Sequence, residues 1–181
     1  MNGTQCGCGQ KGCYEKYASA NGLVLVAKQY LAEHPDEPSS LRDVSELTAK
    51  AVMDAAKAGD AAANACVDVA AEALGVCCVN LCRIVDPELI VFSGGLATAG
   101  EFFLKKIEHY FRLYHWTIQE PTCVLQISDG GNLVGITGAA AVARMDYLKW
   151  LVCCKRMESN RERKKRQLQD SNLRGQSPTD F

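Results

Sequence analysis

Apolar side chains recur three or four positions apart from Cys13 to Ala32, where Tyr14, Tyr17, Ala18, Leu25, Val26, Ala27 and Tyr30 are set among Lys and Glu. This spacing predicts a helix that starts at Cys13. His34-Pro35-Asp36-Glu37-Pro38-Ser39-Ser40 reads as a loop, because two prolines and their polar neighbours cannot continue helical hydrogen bonding. Ser40 is placed to cap a helix through about Lys57, with Leu41, Val44, Leu47, Ala51, Val52 and Ala55 on one side. Gly59-Asp60 ends that helix, and Asp60 caps the next, which runs to about Val85. Ala62, Cys66, Val69, Ala73, Val76, Cys77, Asn80, Leu81 and Ile84 form its expected inward face. They are mostly small, and small side chains let a helix lie close to a neighbour.

The period then changes. Asp86-Pro87 stops the helix, and Glu88-Leu89-Ile90-Val91-Phe92-Ser93 is a short apolar run of the kind found in a strand buried on both faces. Gly94-Gly95 turns the chain into a helix from Ala99 to about His115. Cys123-Val124-Leu125-Gln126-Ile127, after Pro121, predicts a second strand. Asp129-Gly130-Gly131 turns the chain again, into a last helix from Leu133 to about Trp150. Beyond Cys154 the apolar period is lost, which predicts a frayed helix leading into a disordered basic tail over 151–181, after one domain over 1–150. Helices alternating with buried strands indicate an α/β protein. Two strands for five helices suggest that part of the sheet lies outside this chain.

Composition narrows the class. At 181 residues, 48% hydrophobic and 23% charged, the chain can bury a core, which excludes disordered and collagen-like classes. The formal net charge of −1 hides an acidic body and a basic tail, since residues 155–181 hold eight Lys or Arg against four Asp or Glu. The N-terminus has neither the basic nor the apolar part of a secretory signal, and no run of 18 uncharged apolar residues exists. The expectation is a cytoplasmic protein with no membrane association. In that compartment ten Cys point to metal ligation or burial rather than disulfides.

Spacing sorts those cysteines. Cys6-Gly7-Cys8-Gly9-Gln10-Lys11-Gly12-Cys13 puts three thiols within eight residues, with glycines where the backbone must turn to aim them at one point. Three soft ligands suit Zn²⁺, and a closed site would order a loop that has no core of its own. Free thiols in a flexible loop are the alternative. His34, the nearest imidazole, is separated from the cluster by a helix about 30 Å long and is a poor fourth ligand. Cys66, Cys77, Cys78, Cys82 and Cys123 fall in helix or strand register and read as small core residues.

Read from Cys6 to Glu15, the pattern Cys-x-Cys-Gly-x-x-Gly-Cys-x-Glu resembles the signature of the family named for repressors, open reading frames and kinases. That family contains bacterial-type glucokinases and kinases of N-acetylmannosamine and N-acetylglucosamine. The resemblance implies that Cys6, Cys8 and Cys13 hold a structural zinc whose fourth ligand, an upstream His, has no counterpart here. It implies too that Glu15 hydrogen-bonds sugar hydroxyls, whereas read alone a Glu in a first helical turn is a favourable dipole partner. Asn80-Leu81 with Asp86-Pro87-Glu88-Leu89-Ile90-Val91-Phe92-Ser93-Gly94-Gly95 resembles the family's lead into its nucleotide site, which makes Gly94 and Gly95 cofactor-binding candidates. The turn is no P-loop, and the alternative is a mere tight connection. Gly135-Ile136-Thr137-Gly138-Ala139-Ala140 resembles the family's closing helix, where small residues pack.

The resemblance covers residues 1 to about 148 and implies the C-terminal part of an actin-like, ribonuclease H-like fold. The implied activity is ATP-dependent phosphorylation of a hexose 6-hydroxyl, with Mg²⁺, with glucose as the sugar and with a homo-oligomer in intact members. No Asp or Glu matches the family's catalytic base, so no catalytic residue is assigned and the isolated chain is expected to be inactive. The alternatives are an N-acetylmannosamine or N-acetylglucosamine kinase, or a sugar-sensing regulator without catalysis. Arg161-Glu162-Arg163-Lys164-Lys165-Arg166 reads as a solvated stretch rather than a nucleic-acid contact, since acidic residues interrupt it and no aromatic side chain lies beside it.

Overall fold

The folded chain keeps the expected order of elements and shifts several of their limits. This computed structural model describes residues 3–118, 120–128 and 133–174, with side chains as far as Arg166. The turn expected at Asp129-Gly130-Gly131 and the last part of the tail lie outside those residues. The elements are α1 (Glu15–Ala18), α2 (Ala20–Glu33), α3 (Ala49–Lys57), α4 (Ala61–Val85), β1 (Leu89–Phe92), α5 (Glu101–Tyr114), β2 (Val124–Ile127) and α6 (Val134–Arg174). The chain divides into two compact units, Met1–Val134 and Gly135–Phe181.

α4 is the spine of the first unit and packs against α2, α3 and α5. It buries Ala62, Ala63, Cys66, Val67, Ala70, Ala71, Gly75, Cys78 and Val79. Leu23 of α2, Val52 of α3 and Ile107 of α5 close over it with no exposed surface. The inward face is therefore rotated from the one expected. Val69 and Ile84 point outward, Ile84 being 79% exposed, while Val67, Ala70 and Ala71 turn in. Three neighbouring helices select the stripe with the smallest side chains, because it permits the closest approach. By length and composition α4 could cross a membrane, but here its buried face is the core of a helical layer.

Two more limits move because other residues make better caps. The helix expected from Ser40 is a 3-10 turn, Ser40–Arg42, capped by Ser39, and α3 begins at Ala49. Thr48 caps α3 by accepting from the Ala51 N–H at 3.1 Å. Asp60 has two tasks. It caps α4 by accepting from the Ala63 N–H at 2.9 Å, and it ties down the preceding loop by accepting from the Ser40 N–H at 2.7 Å and hydroxyl at 2.8 Å.

β1 and β2 pair in parallel, from Leu89 opposite Val124 to Phe92 opposite Ile127, with α5 as their crossover. β1 is not buried on both faces: Leu89 and Val91 are exposed while Ile90 and Phe92 join the core. Among the described residues only β2 pairs with it, and the helices cover one side. The last helix passes its expected end at Trp150 and reaches Arg174. Residues 151–174 are rich in Arg, Lys, Glu and Gln, and neither Gly nor Pro occurs among them, so intrinsic propensity sustains a helix that the lost apolar period did not announce.

Candidate functional site

The site begins in a stretch with almost no apolar side chains. Residues 4–12 fold as a small hairpin, bridged between Gln5 and Lys11. The Cys6 N–H donates to the Gln10 carbonyl at 2.8 Å and the Gly12 N–H to the Thr4 carbonyl at 3.0 Å. Tyr17 of α1 anchors it, its hydroxyl accepting from the Thr4 N–H at 2.9 Å. Gly9 and Gly12 supply the two left-handed turns, at φ of 88° and 76°.

This fold brings the three hairpin thiols together. The Sγ atoms of Cys6, Cys8 and Cys13 all lie within 4.8 Å of one another, and those of Cys8 and Cys13 are 3.5 Å apart. Sulfurs on a tetrahedral zinc with bonds of about 2.3 Å stand about 3.8 Å apart, so the donor set fits that ion in chemistry and in spacing. Cys6 is buried, Cys13 half-buried and Cys8 exposed. Hydrogen bonding from the Gln10 backbone, then from Cys13, holds the Cys8 thiol below its ordinary range, while the hydrogen bond with Cys8 pushes Cys13 up to about 11. His34 is not in this group. Its ring stacks on Tyr30 at 4.1 Å and bonds the Tyr30 carbonyl at 2.9 Å.

Glu15 opens α1, and its Oε2 accepts from the Cys6 thiol at 3.7 Å. The single helix expected from Cys13 is in fact two, because Ser19 adopts an extended conformation and caps α2. The Ser19 hydroxyl accepts from the Gly22 N–H at 3.0 Å and donates to the Glu15 carbonyl at 2.6 Å. Gly22 makes the break possible, since a Cβ there would lie 2.6 Å from the Glu15 carbonyl oxygen. α1 is thereby clamped onto α2, and the Glu15 carboxylate is held beside the thiols on an exposed face.

The Gly94-Gly95 turn follows β1 directly. Gly94 has φ of 98°, a conformation that favours glycine. The turn leads into a four-residue 3-10 turn, Leu96–Ala99, and α5 starts only at Glu101. The long helix, expected from Ala99, thus begins two residues later than predicted. A cavity of about 240 Å³ lies between α3 and this turn, lined among others by Lys50, Asp54, Lys57, Gly95 and Thr98. Sequence reasoning missed the α3 residues, whose spacing at 50, 54 and 57 on one helix face was the available signal. A Cβ on Gly95 would lie 3.6 Å from that of Ala20, the first residue of α2. The glycine turn and the segment carrying Glu15 thus reach the same end of the unit. The third resembling motif, from Gly135, opens α6.

Comparison with known proteins identifies the family of the chain. The model of the ROK family matches residues 1–146. Glucokinase of Halalkalibacterium halodurans is 35% identical over 164 residues, covering 89% of this chain and 46% of that protein. The xylose repressor of Caldicellulosiruptor bescii is 27% identical over 146 residues, covering 80% and 37%. A ROK family glucokinase from Streptomyces griseus, solved in complex with glucose and AMPPNP, matches with a TM-score of 0.70 at 32% identity over 80% of this chain and 48% of that one. The chain spans about half the length of the curated relatives it matches. Its α/β architecture is that of the actin-like ATPase fold found in these sugar kinases. With the thiol hairpin, Glu15 and the glycine turn all inside the matched residues, the chain belongs to the ROK family.

Proposed function

We propose that residues 1–150 form the later half of a glucokinase-type sugar kinase, which transfers the γ-phosphoryl group of ATP to the 6-hydroxyl of a hexose, with Mg²⁺ on the phosphates. Glucose is the proposed sugar and the cytoplasm the proposed compartment. The observation that carries this reading is the convergence of three thiols directly behind the Glu15 carboxylate. Cys6, Cys8 and Cys13 would hold a structural Zn²⁺, which supplies a cross-link to a hairpin lacking a core.

Each remaining role belongs to a residue of the chain. Glu15 Oε2 accepts a hydrogen bond from the Cys6 S–H; with Cys6 held as a zinc-bound thiolate that donor would be gone, and the carboxylate would be free to accept from two adjacent sugar hydroxyls. Gly95 borders the cavity without a side chain to fill it, and because Lys50 is paired with Asp54, Lys57 is the cation at its rim that favours an anionic ligand such as a nucleotide. No Asp or Glu matches the family's catalytic base, so the isolated chain is expected to bind sugar without turning it over.

Metal analysis and calorimetry on the full chain test this together. The expected result is one zinc per chain and a heat of glucose binding that disappears in Glu15→Gln, with ADP release at background. Absence of both zinc and hexose binding would overturn the reading. The similarity to a xylose repressor favours a second one, a sugar-responsive regulator without catalysis. DNA binding that weakens steeply with salt, alongside sugar binding, would select it.

A further inference from the structure

The three hairpin thiols are not equivalent, and the difference bears on a chemistry that metal binding does not use. Cys6 is 5% exposed and directs its S–H at Glu15 Oε2. Cys8 is exposed at the hairpin tip, and its Sγ faces that of Cys13 at 3.5 Å. The hairpin is closed by backbone hydrogen bonds between residues 4 and 12, which need no metal to form. Three disulfides are conceivable among three thiols, and this geometry favours one of them. We propose that Cys8 and Cys13 are a peroxide-sensitive dithiol that closes to an intramolecular disulfide, leaving Cys6 reduced.

The chemistry balances with a hydroperoxide as the oxidant. The Cys8 sulfur attacks hydrogen peroxide, an S–O bond forms, the O–O bond breaks, and water leaves after protonation; Cys8 becomes a sulfenic acid. The Cys13 sulfur then attacks the Cys8 sulfur, the S–S bond forms, and hydroxide leaves as water with the Cys13 proton. Two thiols and one peroxide give one disulfide and two waters. The sulfurs close from 3.5 Å to about 2.05 Å, a movement confined to an exposed loop. Of the other cysteines, Cys66 and Cys78 are buried and out of reach of the oxidant. The consequence for metal rests on the zinc reading above: the disulfide removes two of three ligands, so oxidation and zinc exclude each other.

Peptide mapping of the full, metal-free chain treated with one equivalent of hydrogen peroxide tests the proposal. Tryptic cleavage after Lys11 and Lys16 puts Cys8 and Cys13 on separate peptides, so a disulfide between them joins the two with the loss of two hydrogens. The expected result is that joined species in the parent chain and in Cys6→Ser, and its loss in Cys8→Ser and Cys13→Ser. A joined species that persists in Cys8→Ser, or Cys8 sulfinic acid beside free Cys13, would overturn it. A parallel sample preloaded with zinc separates the two ideas. Protection by zinc supports both, whereas equal oxidation with and without zinc removes the zinc reading and leaves the dithiol standing.

Discussion

Cys66 and Cys78 lie on the buried face of α4, where burial pushes their thiols up to about 11 and about 12, while Cys6, Cys8 and Cys13 gather around one point in the hairpin, from buried Cys6 to exposed Cys8. The α4 thiols act as small apolar groups in a layer of helices, and the hairpin thiols sit where little apolar side chain competes with them for contacts. One residue type thus takes two roles, and its surroundings decide which. Stability of the first unit resides in the helical layer, whereas its proposed chemistry resides in the hairpin. Substitutions in the two regions should therefore separate folding from metal binding.

The largest effect is expected in the helical layer. Phe111 of α5 is 3% exposed and belongs to the core that α4 anchors. Phe111→Ala removes a whole ring and leaves a cavity, which should lower unfolding free energy by about 4 kcal/mol. Urea denaturation followed by circular dichroism measures this. A loss below about 1 kcal/mol would mean that α5 contributes little to the layer and that the hairpin region carries more of the stability than this comparison allows.

A smaller effect is expected at Asp60, where the helical layer meets its loops. Burial resists ionisation of this carboxyl, but hydrogen bonds from Ala63, Ser40 and Ser39 outweigh it and hold the group below the usual carboxylate range. A lowered folded value means that the stabilisation is complete above the ordinary carboxylate pKa and is lost as pH falls through the folded one. Asp60→Ala should cost about 2 kcal/mol at neutral pH, the upper end for loss of a helix cap. Its stability should fall less steeply than that of the parent below about pH 4. Parallel melts across that range decide the matter, and equal slopes would remove Asp60 from the acid response.

How far the fold could be read from residues alone follows the same division. Asp60 as a cap, Pro87 as a stop and Gly94-Gly95 as a turn were legible because each acts through its own backbone or side chain over a few residues. The inward face of α4 was not, because Val69 and Val67 are equally apolar and only the neighbouring helices choose between them. The break at Ser19 was hidden for a related reason: it depends on Gly22 meeting the Glu15 carbonyl across a kink. At the site, the clustering of Cys6, Cys8 and Cys13 was legible from spacing within eight residues, while Glu15 was singled out only by the family resemblance. The cavity beside Gly95 was not, since Lys50 and Lys57 are brought to it from another helix by tertiary packing.

The smallest expected effect on stability is also the sharpest test of the division between the two cysteine environments. Cys66→Ser puts a hydroxyl among apolar neighbours and should cost about 1 to 2 kcal/mol while zinc content stays at the parent level. Cys13→Ser changes a half-buried thiol outside the helical layer, so in metal-free chain the unfolding free energy should move by no more than about 0.5 kcal/mol. Zinc content should nevertheless fall, because oxygen replaces one of three soft ligands. Urea melts of both variants with chelator present, set beside metal analysis without it, give four readings that must cross in this way. If Cys13→Ser lost stability without metal as severely as Cys66→Ser, the hairpin would be part of the core, and the backbone hydrogen bonds from Thr4 to Gly12 would not account for its order.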